Sequence, residues 1–135
     1  RENNGKGRRM QKGKKDPLYK SFGYAFHGIF TVIGQERNMQ IHCAATVVVV
    51  ILGFFLHISY EEWLICLLLF ALVMSLEMVN TAVEAAVDFA AKGERHPLAG
   101  KAKDVAAGAV LISAIFAAII GVLIFLPKIM ALIFK

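Results

Sequence analysis

Between Arg37 and Lys92 the chain carries no lysine and no arginine. Within that window, AATVVVVILGFFL has no charged residue at all, and a second apolar run, LICLLLFALVM, follows the short turn HISYEEW. Hydrocarbon offers no partner to backbone N–H and C=O groups, so a lipid-spanning segment must satisfy them internally, as a helix does. The composition, 58% hydrophobic and only 19% charged, departs from soluble domains in the same direction. The length, 135 residues, suits one domain. The expected fold class is therefore all-α integral membrane, with three transmembrane helices and an N-terminal amphipathic surface helix.

The expected boundaries follow from pattern. Residues 1–16 are polar, basic and rich in glycine, and read as a disordered tail without the form of a signal peptide. Pro17 suits a helix start. After it Leu18, Phe22, Phe26, Ile29 and Ile33 recur at three- and four-residue steps, giving a surface helix over 17–36 with one apolar face. The first span is expected over 39–57 and the second over 62–91. At 1.5 Å per residue the second is about 45 Å long, against a hydrocarbon core of about 30 Å. It must project from the bilayer, at its later and more polar end. Gly93, Pro97 and Gly100 punctuate the loop KGERHPLAGKAK. A third span is expected over 101–126, ended by Pro127. Residues 17–135 would form one membrane-embedded unit.

Cations set the orientation. Eight of the 15 Lys and Arg lie in the first twenty residues, and four more are Lys92, Arg95, Lys101 and Lys103. Both clusters are expected on the cytoplasmic side of the membrane. Lys128 and Lys135 are minor exceptions. No aromatic-interleaved basic surface follows the tail, so nucleic acid is not an expected partner. Cys43 and Cys66 sit in apolar runs and read as inert.

Inside the second span lies SLEMVNTAVEAAVDFAA. Glu77, Asn80, Glu84 and Asp88 are spaced three, four and four, which places them on one helix face flanked by Thr81. Carboxylates at mid-bilayer cost at least a few kcal/mol each, so such a stripe needs a reason. The residues admit three: a reaction at the membrane border, a polar seam joining helices, or a proton or ion path. The stripe runs from the headgroup level into the acyl region. Glu36 and the pair Lys103–Asp104 lie at the same level of the same leaflet.

Carboxylates and cations together suit a metal and a phosphate. Glu36 and Glu84 are oxygen donors of the kind Mg²⁺ takes alongside water and phosphate. Lys92, Arg95, His96 and Lys103 suit a polyphosphate, and Glu77, the deepest, suits a base for a hydroxyl proton. No GxxxxGK[ST] and no Gly-rich kinase loop is present. His27, His42 and His57 read as interfacial or packing residues, Tyr60 and Trp63 as an aromatic anchor. A non-enzymatic transporter or assembly subunit is the rival reading, and predicts no ATP dependence.

The run ExxNTAxExxxD from Glu77 to Asp88, followed by GKAKDxAAGAV from Gly100 to Val110, resembles the prokaryotic diacylglycerol kinase family of small membrane-embedded enzymes. The likeness spans residues 21–126. It implies a homotrimer whose active sites form between subunits, and transfer of the γ-phosphoryl group of ATP, with Mg²⁺, to a membrane lipid alcohol. It implies Glu77 as catalytic base that meets the lipid and Asn80 as the motif amide. It implies Glu36 and Glu84 as metal ligands, and Tyr24, Glu36, Glu84, Glu94, Arg95, His96, Lys103 and Asp104 as ATP-binding. The loop before Lys103 is one residue longer than in the proteobacterial members, and Pro17 stands where those carry an arginine. HPLAGKAKDVAAGAV and SFGYAFHGIFTVIGQERNMQIH look closer to the Gram-positive branch. Undecaprenol is therefore the expected substrate, giving undecaprenyl phosphate, with diacylglycerol as the alternative.

Overall fold

A computed structural model describes residues 15–135. All of the basic tail read at residues 1–16 except Lys15 and Asp16 lies outside the described residues. Four helices follow in order: α1 (Leu18–Gln35), α2 (Arg37–Phe55), α3 (Tyr60–Ala91) and α4 (Pro97–Ile133). The last three are long and apolar enough to cross a membrane, and the protein is an all-helical membrane protein. Its largest apolar side chains are widely exposed in the single chain, among them Phe54, Phe55, Phe116 and Leu123. Exposed apolar surface on this scale needs lipid or another protein to cover it.

One residue separates α1 from α2. Glu36 is extended, with φ −99° and ψ 116°, and the helix restarts at Arg37. The last carbonyls of a helix lack intrahelical donors. Here Gln40 reaches back from α2, its Nε2 donating to the carbonyls of Ile33 at 3.1 Å and Gly34 at 3.4 Å. Met39, three residues past the corner, is 1% exposed.

At the opposite end of α2 the chain turns through His57, whose φ is +53°. Ser59 caps α3: its hydroxyl accepts from the Glu62 N–H at 3.2 Å, and Glu62 returns a bond to the Ser59 N–H at 3.0 Å. This reciprocal pair satisfies two orphan donors at once. Ile58, Cys66 and Phe125 form the buried cluster here, with Trp63 and Phe70 packed on it.

Two expectations for the third span are corrected. The helix begins at Pro97, not at 101, because proline suits the first helical position and His96 caps it, Nδ1 accepting from Leu98 N–H at 3.2 Å. Nor does Pro127 end it; α4 continues to Ile133. Proline removes one backbone donor, a loss that membrane helices tolerate. The extra turns are held from outside. Lys128 pairs with Glu62 at 3.1 Å, and Ile129 packs on the cluster of Ile58, Cys66 and Phe125. Both charges keep some contact with water, so Lys128→Ala is expected to cost under about 1 kcal/mol. Thermal unfolding in detergent checks this, and a larger loss would mean that the pair governs the whole end of the bundle.

α3 is the element that all the others touch. It packs along α4, against α2 and against α1, whereas among the described residues the α2 and α4 backbones do not come close to each other. Between those two lies an apolar cleft of about 250 Å³, lined by residues of α2, α3 and α4.

Candidate active site

The stripe on α3 grades from dry to wet along one face. Glu77 is 2% exposed and Asn80 5%, Glu84 is half-buried, and the Asp88 side chain is 67% exposed. Helical spacing alone puts these groups on one side; burial is set by what packs there. α2 approaches Glu77 through His42, whose ring nitrogen faces the carboxylate.

The polar atoms are only partly matched. Asn80 Nδ2 donates to Glu84 Oε1 at 3.3 Å, which orients that carboxylate. Thr81 Oγ1 donates to the Glu77 carbonyl at 3.1 Å, a bond within the helix that leaves the carboxyl untouched. Glu77 Oε2 and Asn80 Oδ1 are buried with no hydrogen-bond partner. An unmatched buried polar atom costs about 1–3 kcal/mol. Two such atoms one helical turn apart mark a place where a donor or a cation would be welcome.

The sequence placed Glu77, Asn80 and Glu84 on one helix face with Glu77 deepest; in the structure Asn80 bonds to Glu84, Glu77 and Asn80 are buried, and Glu36 is the extended residue at the α1–α2 corner. The structure does not gather every expected residue. Lys103 lies against α3, its Nζ paired with Asp88 Oδ1 rather than with Glu84, and Asp104 is exposed beside it. Glu94, Arg95 and His96 are exposed on the turn between α3 and α4. That turn is made by Lys92 and Gly93, both at positive φ, and closed by the Glu94 N–H on the Ala91 carbonyl at 2.9 Å. Tyr24 lies on α1, 46% exposed and about 18 Å along the helix from Glu36.

One residue read as interfacial or packing also stands beside the stripe. His42, on α2, brings its Nε2 to 3.9 Å from Glu77 Oε2. Nothing local in the sequence signals this, because the partner is on another helix.

Among the described residues no three His, Cys, Asp or Glu side chains are grouped so as to hold a metal by themselves. What the site offers is hard oxygen donors: the Glu84 carboxylate, the unmatched Asn80 amide oxygen one turn away, and Glu36 at the α1–α2 corner. This fits Mg²⁺, which takes one or two carboxylates and completes its shell with water and phosphate.

Known proteins resemble the chain over most of its length. The family described as prokaryotic diacylglycerol kinase matches residues 23–125. The chain is 49% identical over 111 residues to an undecaprenol kinase of Bacillus subtilis, covering 82% of this chain and 89% of that one. It is 38% identical over 131 residues to a diacylglycerol kinase of Synechocystis, covering 89% and 75%. It is 31% identical over 102 residues to the diacylglycerol kinase of Escherichia coli K12, covering 76% and 83%.

Proposed function

Because this chain belongs to the prokaryotic diacylglycerol kinase family, we propose that it transfers the γ-phosphoryl group of ATP to the hydroxyl of undecaprenol. That it is a membrane lipid kinase follows from the family and the three spans. The observation that carries the choice of lipid is the gap between 49% identity to an undecaprenol kinase and 31–38% to the diacylglycerol kinases. Diacylglycerol is the second reading, favoured by the names of those other relatives. Both lipids present a primary hydroxyl at the headgroup level.

In this reading Glu77 takes the hydroxyl proton through its unmatched Oε2. The lipid oxygen bonds to the γ-phosphorus, the bond from that phosphorus to the β-phosphate oxygen breaks, and ADP leaves. Bound with ATP, Mg²⁺ supplies charge neutralisation for the phosphates. Glu36 and Glu84 are the carboxylates to hold it, and Asn80 fixes the direction of Glu84. Asp88 keeps Lys103 at the wet end of the stripe, where its ammonium meets phosphate. Tyr24, Glu94, Arg95, His96 and Asp104 complete the nucleotide contacts. Catalysis is then chiefly positioning and electrostatics, as phosphoryl transfer requires.

The kinase unit is residues 17–135, with the N-terminus and the 92–103 loop on the cytoplasmic face of the bacterial plasma membrane, where ATP is. A homotrimer supplies the cover that the exposed apolar helices lack. Glu84→Gln is expected to raise the KM for Mg-ATP by about tenfold or more, read from initial rates at saturating lipid; an unchanged KM would remove Glu84 from the nucleotide site. The function itself is tested in mixed micelles holding undecaprenol or diacylglycerol at equal mole fraction with Mg-ATP. Preferential phosphorylation of undecaprenol supports the proposal. Preference for diacylglycerol replaces the lipid and keeps the site. Transfer to neither by folded protein ends the kinase assignment.

A further inference from the structure

The gap between His42 and Glu77 has the size of an atom. Nε2 and Oε2 stand 3.9 Å apart, too far for a direct hydrogen bond. One oxygen atom placed beside them can lie about 2.8 Å from each, the usual hydrogen-bond length. Glu77 Oε2 is buried and unmatched, and the His42 side chain is 20% exposed. The carboxylate oxygen is thus shielded from bulk water, while the histidine beside it keeps part of its surface open.

The same histidine lines the apolar cleft between α2 and α4. Along α3 that cleft runs from Met74, one turn from Glu77, to Cys66, a length of about 12 Å. Its walls are otherwise almost wholly hydrocarbon, with Val73, Ala117, Gly121 and Phe125 among them. Thr46 is the one hydroxyl in the lining, and it donates to the His42 carbonyl at 2.8 Å. The cleft thus begins at His42 and at Met74, one turn from Glu77, and leads away from the wet end of the stripe, the direction a lipid tail takes from a hydroxyl held at Glu77.

We propose that His42 is the second contact for the lipid hydroxyl: Nε2–H donates to the hydroxyl oxygen while Glu77 Oε2 accepts the hydroxyl hydrogen, and the hydrocarbon tail lies in the cleft. This rests on the kinase reading above. The histidine fixes the oxygen so that its hydrogen points at Glu77 and a free electron pair points toward the wet end of the stripe. The proton passes to Glu77, and the histidine keeps its own throughout. An alcohol with an apolar tail satisfies both the polar pair and the cleft, whereas water satisfies only the pair.

The test compares His42→Phe, which keeps a ring and loses the donor, with His42→Gln, which keeps an N–H at similar reach. Rates are measured in mixed micelles against both lipid and ATP. His42→Phe is expected to lose about tenfold in kcat/KM for the lipid alcohol, with the KM for ATP within twofold of wild type and His42→Gln near wild type. Both variants matching wild type, or both equally impaired, would overturn the proposal.

A second variant stands apart from folding at His42. Gly121 has open space where a Cβ would go, so Gly121→Leu fills the cleft without a clash at the backbone. It is expected to raise the KM for a long prenyl alcohol several-fold more than for a short one. An unchanged KM ratio, or a changed assembly size with lipid affinity intact, overturns the tail assignment. If wild-type protein phosphorylates no lipid alcohol, the kinase reading fails first. If wild type turns over and His42→Phe matches its kcat/KM for the lipid, only the present proposal fails.

Discussion

Glu77→Gln is expected to remove lipid phosphorylation while leaving ATP binding almost unchanged. The substitution conserves shape, so the packing that leaves Glu77 2% exposed is kept. What is lost is the oxygen that takes the proton, and a positioned base contributes about 10²–10⁴-fold in rate. The carboxylates assigned to the metal remain, and Asn80 still orients Glu84 at 3.3 Å. Turnover at saturating lipid and equilibrium binding of Mg-ATP measure the two effects separately. Full turnover by Glu77→Gln would remove the base assignment. Loss of binding together with turnover would move Glu77 into the nucleotide site.

The second large effect is structural and lies at the other end of the bundle. A methyl group on Gly53 would sit 2.7 and 2.8 Å from two ring carbons of Trp63 and 3.2 Å from Ile58. An indole ring is rigid and cannot bend away, so Gly53→Ala must displace it. Trp63 also packs on Phe54, ring centroids 4.9 Å apart, and against the cluster of Ile58, Cys66 and Phe125. Overpacking of this kind costs about 1–3 kcal/mol. Trp63 is the chain's single tryptophan, so its fluorescence reports the displacement directly. The expected result is a shifted emission spectrum with a lowered unfolding midpoint. Unchanged emission and midpoint would mean that the contact is not kept in the membrane.

The spans were legible because a cation-free window and a turn with breakers leave few alternatives. The stripe was legible because three-and-four spacing fixes a helix face whatever packs on it. Its grading from Glu77 to Asp88 followed from the helix being longer than the bilayer is thick. What stayed hidden rests on contacts between helices. Nothing near Pro127 foretells that α4 runs on, because the residue that pairs with Lys128 is Glu62 at the start of α3. Nothing near His42 separates a packing histidine from one facing Glu77, which is far along the chain. Gln40 looks like an ordinary polar residue at a helix start until α1 is seen ending against it. The role of Pro97 was misread for a local reason: the same fixed φ that breaks a helix can begin one.

The corner at Glu36 has a mechanical consequence. With one extended residue between two helices, α1 is a lever about 27 Å long whose pivot is the carboxylate-bearing residue itself. A swing of ~10° carries the Leu18 end by ~5 Å and leaves the pivot nearly still. Thickness changes and undulation of the bilayer act along the lever, at its exposed apolar side chains. The residue assigned to the metal sits at the point that travels least.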